Sequence, residues 1–148
     1  MNNSVSPKVC PGRTLLTGVW RAAAYIANRI ERRLEPTGLS LPKLQMLTHL
    51  VEAGEPLPLG QLAGRSACAK SNVTQLVDRL EADGLVRREP DPEDRRSVRA
   101  VITEEGLRAY ETAARAQSEV EAELLASLSP DEQQHLAALL ERFREVRV

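Results

Sequence analysis

The sequence is poor in aromatic residues and in cysteine, and it has no long unbroken apolar run. Aromatic side chains make up only 3% of the 148 residues, so Leu, Val, Ile and Ala must build the core, which is typical of a helical protein. Cys10 and Cys68 are too few for a disulfide framework and lack metal-ligand spacing, which favours a reducing cytoplasm. No segment has the length of a membrane-spanning helix, and no apolar signal sequence follows Met1, so no membrane partner is expected.

The chain also lacks an excess of positive charge, because its formal net charge is −1. The charge is uneven: +3 over residues 1–64, +1 over 65–99 and −5 over 100–148. A strong basic excess is the usual signature of a nucleic-acid binder, so any such function must depend on where individual arginines lie. His49 and His135 fall in different predicted elements, and no nucleophile–base–acid set or metal cluster is identifiable. The sequence therefore predicts no catalytic site, no metal site and no cofactor.

Apolar residues recur in steps of three and four along most of the chain, which predicts amphipathic helices. In the first part of the chain we expect helices over residues 13–34, 41–54, 59–65 and 70–82. Pro36 and Gly38 end the first helix, and Gly84 ends the fourth. The three shorter helices follow one another closely, as in a helix-turn-helix unit.

The hydrophobic period changes after Gly84. Residues 85–89 and 97–102 are β-prone, and the segment between them has two prolines and a dense charge cluster, which predicts an exposed hairpin tip. Thr103 starts a long helix that reaches about Leu128, and the capping box at residues 129–132 starts the last helix. The predicted fold is mainly α, a winged helix-turn-helix with a two-stranded β wing and N- and C-terminal dimerisation helices.

The first helix and the last two helices have apolar stripes with no partner inside so small a winged unit. We therefore expect a homodimer joined through both ends of the chain. The predicted organisation is one intertwined domain, with a mobile tail at 1–12, a helical dimerisation region at 13–38 and 104–148, and the winged helix-turn-helix region at 39–103. The residues expected to be buried between the subunits are Leu16, Val19, Ile26, Leu136, Leu140 and Phe143.

A specific combination of motifs runs from the fourth helix to the start of the fifth. It comprises Asp78-Arg79-Leu80-Glu81, Gly84-Leu85-Val86, Asp91-Pro92-Glu93-Asp94-Arg95-Arg96, and Ile102-Thr103-Glu104-Glu105-Gly106. In this combination the chain resembles the MarR family of transcriptional regulators, and the flanking helices extend the resemblance over nearly the whole chain. The resemblance implies a homodimer that binds a palindromic operator on double-stranded DNA, often as a repressor. It also implies release by a small aromatic or phenolic ligand or by oxidation.

The resemblance further implies which residues meet DNA. The helix that begins at Lys70 would enter the major groove, and its candidate DNA-binding residues are Lys70, Ser71, Asn72, Thr74, Gln75 and Arg79. The wing would reach the adjacent minor groove, where Arg96 enters, Asp94 holds it and Arg95 lies beside it. Arginine suits a narrow minor groove because negative potential is concentrated there. The alternative is that these residues, with Arg87 and Arg88, form only a solvated polar surface.

The chain departs from the family pattern at two places, one just before the fourth helix and one within it. The segment 66–69 replaces the usual Leu-Gly-x-Ser turn, so the fourth helix lacks its expected N-cap. Gln75 stands where many relatives have Arg, and because Gln reads adenine whereas Arg prefers guanine, the operator is expected to differ. Cys68 is either a reactive thiol ahead of a helix N-terminus or a small buried apolar residue. A first-helix cysteine sensor is not supported, because that position falls near Leu16.

Trp20, Tyr25 and His49 are the candidates to line an effector pocket between the dimerisation helices and the winged unit, although ordinary core or surface positions remain the alternative.

The function predicted is a cytoplasmic, sequence-specific, DNA-binding transcriptional regulator. The altered turn and the weak net charge leave open a winged-helix protein-interaction module that has lost DNA binding. An enzyme is a third possibility, with no identifiable site to support it.

Overall fold

A computed structural model of the chain describes residues 11–66 and 69–145. Its elements are α1 Pro11–Leu34, a short 3-10 helix Glu35–Thr37, α2 Leu41–Ala53, β1 Leu57–Pro58, α3 Leu59–Ser66, α4 Lys70–Ala82, β2 Val86–Pro90, β3 Val98–Ile102, α5 Glu104–Leu125 and α6 Pro130–Glu145. The mainly α fold with a winged helix-turn-helix is confirmed. Residues 1–10 of the predicted tail, with Cys10, lie outside the described residues, as does Cys68. Helix α1 begins at Pro11, two residues before the predicted boundary.

The core of the winged unit lies between α2, α3, α4 and the sheet. On α4 the inward positions are Val73, Val77 and Leu80, which are 0% exposed. Their spacing of four and three residues puts all three on one face of the helix, as the apolar pattern predicts. They pack in a single cluster that includes Leu44, Leu47, Leu50, Leu62, Val86 and Ala100. Because α4 is fixed along this face, its opposite face is presented to solvent.

The sheet is antiparallel in the order β1-β3-β2. Strands β2 and β3 pair from Val86 with Ile102 to Pro90 with Val98, and with the 91–97 loop they form the wing. Strand β1 adds Leu57 opposite Ala100 as a third strand, which the sequence prediction of a two-stranded wing did not include. Pro58 lacks an N–H donor but is accommodated there because β1 is an edge strand.

The first turn of α5 rests on the turn that precedes β2. Thr103 Oγ1 accepts a hydrogen bond from Gly106 N at 3.0 Å, which confirms the predicted N-cap, and Thr103 N donates to Leu85 O at 3.0 Å. A Cβ atom at Gly106 would overlap the Leu85 carbonyl oxygen. Only glycine therefore fits at this crossing, which gives a physical reason for the last residue of the Thr103–Gly106 motif.

The capping box before α6 is also confirmed. Ser129 N donates to Glu132 Oε2 at 2.8 Å, and Glu132 N donates to Ser129 Oγ at 3.3 Å. Helix α5 ends at Leu125, three residues earlier than predicted. The chain turns between the two helices, where Leu128 N donates to Leu125 O.

The carboxyl-terminal end of α1 is attached to α5. Ile30 and Leu34 are buried, and Arg29 and Arg33 form ion pairs with α5, at 2.8 Å between Arg29 and Glu123 and at 2.7 Å between Arg33 and Glu123. The pKa of the Arg29 guanidinium is raised, mainly by the hydrogen bond that Arg29 donates to the Tyr25 hydroxyl and to a smaller extent by the interactions of Arg29 with Glu123.

The two outer parts of the molecule differ sharply from this core. Residues 14–26 of α1 are exposed, and so are residues 131–143 of α6 apart from Gln133. The six residues predicted to be buried between subunits are 39% to 60% exposed in the single chain. Both ends of the chain therefore present apolar side chains that the described part of the same chain does not cover. Among the described residues, no helix has the length and apolarity needed to cross a membrane.

Candidate nucleic-acid interface

The solvent face of α4 is polar along its whole length. Ser71, Asn72, Thr74, Gln75 and Arg79 are all exposed. Asn72, Gln75 and Arg79 follow one another at three and four residues, so two amides and a guanidinium lie along one stripe. These groups can form paired hydrogen bonds with base edges or contact phosphates. Lys70 begins α4, but its side chain lies outside the part that the structure describes.

Helix α4 starts without a side-chain cap. Ala69 has extended backbone angles and accepts from Asn72 N and Val73 N through its carbonyl oxygen, but it supplies no side-chain acceptor. The missing N-cap expected from the sequence is therefore confirmed. A Ser or Thr cap contributes about 0.5–2 kcal/mol, so the helix depends on the packing of its apolar face.

The tip of the wing is a tight turn that presents two arginines. Ser97 N donates to Asp94 O at 2.8 Å, which makes Arg95 and Arg96 the central residues of the turn. Asp94 Oδ1 accepts from the backbone N of Arg96 at 2.9 Å. Asp94 thus fixes the backbone at Arg96, whereas the sequence-based expectation had it hold the side chain. The guanidinium groups are exposed, and no ion pair joins either to another described residue.

A third arginine connects the wing to α4. Arg88 of β2 approaches Asp78 Oδ1 at 2.6 Å and Glu81 Oε2 at 2.7 Å, and it donates to the Thr74 carbonyl oxygen at 3.4 Å. Its backbone N donates to Glu81 Oε1 at 3.0 Å. Partial burial lowers the pKa of the Arg88 guanidinium, but the hydrogen bonds with Asp78 and Glu81 outweigh this effect and raise it. From the sequence alone, Arg88 could be assigned only to a general basic cluster.

Arg87 and Arg88 differ because successive residues of a strand point to opposite faces. The Arg87 side chain is 62% exposed, against 24% for Arg88, and its ion-pair partner is Glu89 on the same strand at 3.3 Å. Glu89 also pairs with Arg99 across the two strands at 2.7 Å. Glu89 therefore links the two strands of the wing to each other, and Arg88 links the wing to α4.

The three candidate effector residues do not share one site in the single chain. Trp20 and Tyr25 are 79% and 55% exposed on α1, and His49 is half-buried on α2. Tyr25 lines a groove of about 370 Å³ with Ala24, Asn28, Arg29 and Arg32, which Trp20 and His49 do not line. Trp20 lies on the part of α1 that projects beyond the core, and this explains the separation.

A larger cavity of about 570 Å³ lies where the 3-10 helix, α2, the end of α4 and the start of α5 meet. We call it the junction cavity, and its wall includes Leu39, Lys43, Asp83, Leu85 and Arg108. Lys43 Nζ and Asp83 Oδ2 are 2.6 Å apart in its wall. This cavity could not be predicted from the sequence because its wall comes from segments that are distant along the chain. Among the described residues, no group of three or more His, Cys, Asp or Glu side chains could hold a metal ion.

Comparison with known proteins agrees with this geometry. A model described as the MarR family matches residues 39–98. The chain is 32% identical to the uncharacterized HTH-type transcriptional regulator YkoM of Bacillus subtilis, over 82% of this chain and 79% of YkoM. It is 31% identical to the HTH-type transcriptional regulator PecS of Dickeya dadantii, over 82% of this chain and 75% of PecS.

Solved structures show the same fold. AbsC, a MarR family transcriptional regulator from Streptomyces coelicolor, matches with a TM-score of 0.85 at 24% identity, covering 95% of this chain and 97% of AbsC. CouR from Rhodococcus jostii RHA1, bound to p-coumaroyl-CoA, matches with a TM-score of 0.77 at 25% identity, covering 88% and 91%. A mutant of MarR from E. coli, complexed with operator DNA, matches with a TM-score of 0.82 at 21% identity, covering 88% and 93%.

Proposed function

Because this chain belongs to the MarR family of transcriptional regulators, we propose that it is a homodimeric repressor that binds a palindromic operator through α4 and the wing. The proposal rests on one packed unit that presents an exposed polar helix face and an exposed arginine turn side by side. The polar face of α4 suits the major groove, and the Arg95–Arg96 turn suits a minor groove.

The charge distribution supports this proposal although the whole chain has a net charge of −1. Arg79 on α4 and Arg95 and Arg96 on the wing tip are exposed, whereas the excess of acidic residues lies after residue 100. In a dimer each of these cations occurs twice, which doubles the number of phosphate or groove contacts. A few well-placed arginines can therefore supply the electrostatic attraction that bulk charge does not.

The exposed apolar residues at both ends of the chain support the homodimer. Leu16, Val19 and Ile26 on α1 and Leu136, Leu140 and Phe143 on α6 would be covered by the same residues of a second chain. A two-fold dimer presents two copies of α4, so its operator has mirrored half-sites about one helical turn apart. The E. coli MarR mutant was solved with operator DNA, and its similar fold supports a corresponding role for this chain.

We propose a small aromatic or phenolic anion as the effector, and the phenolic acyl group of the p-coumaroyl-CoA with which CouR was solved supports the aromatic part of this proposal. The junction cavity suits such a ligand, since it combines apolar residues with Lys43 and Arg108. An anion that drew Lys43 away from Asp83 would act directly on the end of α4. The predicted effector residues Trp20, Tyr25 and His49 remain candidates for a pocket that a second chain would complete. Whichever site is used, the ligand lowers DNA affinity only by its preference for one form of the dimer.

The test is a binding titration of the purified protein against fragments of its own promoter region at two salt concentrations. Specific operator binding with a steep salt dependence is expected, because each phosphate neutralised releases counterions. Absence of binding even at low salt would instead favour a winged-helix module that binds proteins. A shuffled fragment of the same composition serves as the control for non-specific binding.

A further inference from the structure

The acceptors that Arg88 contacts on α4 share one stripe of the helix. Thr74, Asp78 and Glu81 are separated by four and three residues, so they lie above one another along about 10 Å of the helix. The two guanidinium nitrogens Nη1 and Nη2 reach Glu81 and Asp78 separately, and the backbone N–H of Arg88 adds another bond to Glu81. The strand is thus held to the helix by both main chain and side chain.

We propose that Arg88 is a positioning residue that fixes the wing relative to α4, so that both elements fit adjacent grooves of the same half-site. It acts through Asp78 and Glu81 and does not itself contact DNA. This inference rests on the proposed DNA-binding function. The flat guanidinium is suited to the task because its donors diverge toward different acceptors, whereas a lysine ammonium concentrates its donors on one atom.

The two acidic partners of Arg88, Asp78 and Glu81, allow positioning to be distinguished from a simple charge effect. Asp78 is 56% exposed and Glu81 39%, so both carboxylates lie partly open to solvent on a helix that would face phosphates. Simple electrostatics predicts that removing either of them strengthens DNA binding. If they hold Arg88, and Arg88 holds the wing, their removal weakens binding. The sign of the effect therefore separates positioning from charge.

The central variant is Glu81→Ala, with Glu93→Ala as its charge-matched control. Glu93 is exposed on the wing loop, and among the described residues its carboxylate forms no ion pair. We expect Glu81→Ala to weaken operator binding about tenfold although it removes a negative charge, whereas Glu93→Ala leaves affinity equal or higher. Operator binding by Glu81→Ala as tight as that of the parent protein would overturn the proposal.

Arg88→Ala, with Arg87→Ala as its control, tests whether Arg88 contacts DNA directly. A lost phosphate contact of Arg88 itself would reduce the steepness of log affinity against log salt by about 0.9 more than Glu81→Ala does, because Glu81→Ala removes no cation. We expect an affinity loss of about tenfold for Arg88→Ala with the same slope as Glu81→Ala, and no further loss in the Glu81→Ala/Arg88→Ala double variant, because the pair acts as one unit. A slope shallower than that of Glu81→Ala, or additive losses, would overturn the proposal.

A measurement without DNA keeps this inference separate from the proposed function. Residual dipolar couplings of backbone amides report the orientation of the wing relative to α4 in the intact dimer. One common orientation is expected for the parent and for Glu93→Ala, and a changed or averaged wing orientation for Glu81→Ala and Arg88→Ala. If the parent binds no DNA but these couplings change as expected, only the proposed function fails. If the couplings do not change, Arg88 does not position the wing.

Discussion

Lys43 of α2 and Asp83, the residue that follows α4, form an ion pair with 2.6 Å between Nζ and Oδ2. The Lys43 side chain is only 18% exposed, whereas that of Asp83 is 44% exposed. The pair ties the first turn of α2 to the C-terminal end of α4, and both residues line the junction cavity. A ligand that competes for either charge changes how the end of α4 is held.

Lys43→Met tests this site because it keeps most of the apolar stem of the side chain and removes the charge. We expect the free energy of unfolding to fall by no more than about 1 kcal/mol, since a partly exposed ion pair contributes little. In a screen of aromatic carboxylates, compounds that raise the melting temperature of the parent should have no such effect on the variant. Arg65→Met, which removes an exposed cation of α3 that does not line the junction cavity, is the control. An unchanged response of Lys43→Met would place the effector elsewhere.

Arg96→Ala is expected to weaken operator binding without much change in base preference in the major groove. The reason is that A·T and T·A pairs look alike in the minor groove. Asp94→Ala should cause a smaller loss of the same kind because it loosens the turn, and Asp94→Asn should bind like the parent because the amide oxygen can still accept from Arg96 N. Titrations over single-base operator variants measure both effects. If Arg96→Ala bound like the parent, the wing would not insert.

Gln75→Ala is expected to relax selectivity at one position in each half-site. Gln75 is exposed on α4, where its amide can bond to an adenine edge, and such a contact discriminates by about 1–3 kcal/mol. The same set of operator variants should show the affected positions as a mirrored pair. Loss of affinity that is uniform over all bases would mean that Gln75 contacts the backbone.

Gly106→Ala is expected to destabilise the fold by about 1–3 kcal/mol or more, because the added methyl group overlaps a backbone oxygen that cannot move freely. Gly64→Ala in α3 is the matched control. Nothing lies within 4 Å of its added Cβ, so alanine should stabilise the helix by about 0.5–1 kcal/mol. Urea unfolding of both variants provides the measurement. If the two variants were equally stable, the backbone at Leu85 would be able to move away from the added methyl group.

Removal of residues 130–148 is expected to leave a monomeric or aggregating protein, because α6 exposes Leu136, Leu140 and Phe143. Leu140→Glu in the full chain is the milder variant and should weaken the dimer by placing a charge in the apolar face. Gln134→Glu, which adds the same charge elsewhere on α6, is the control. Sedimentation velocity gives the oligomeric state. A truncated chain that stayed a stable dimer would locate the interface elsewhere.

Features set by neighbouring residues could be predicted from the sequence. The Thr103 cap and the Ser129–Glu132 box are local hydrogen-bond patterns, and the inward face of α4 follows from helical spacing. Strand β1 could not be predicted in this way. It is two residues long and forms only because Leu57 and Pro58 pair with β3, some forty residues later.

The candidate DNA-binding face of α4 could also be predicted from the sequence, since its exposure follows from the same helical spacing. The roles of Arg88 and Asp94 could not be predicted in this way. Arg87 and Arg88 are identical in type, and only the pleat of β2 directs one toward Asp78 and Glu81. Asp94 was expected to hold Arg96, but that it does so through the backbone could not be read from the sequence: its carboxylate accepts from the Arg96 N–H, two residues away, which costs little side-chain entropy.

The contact between Gly106 and Leu85 couples the start of α5 to the start of the wing. Because a Cβ atom at Gly106 would overlap the Leu85 carbonyl oxygen, the two backbones have no room to approach each other further at this point. A shift of the first turn of α5 toward Leu85 would therefore have to displace Leu85, and with it the beginning of β2 at Val86.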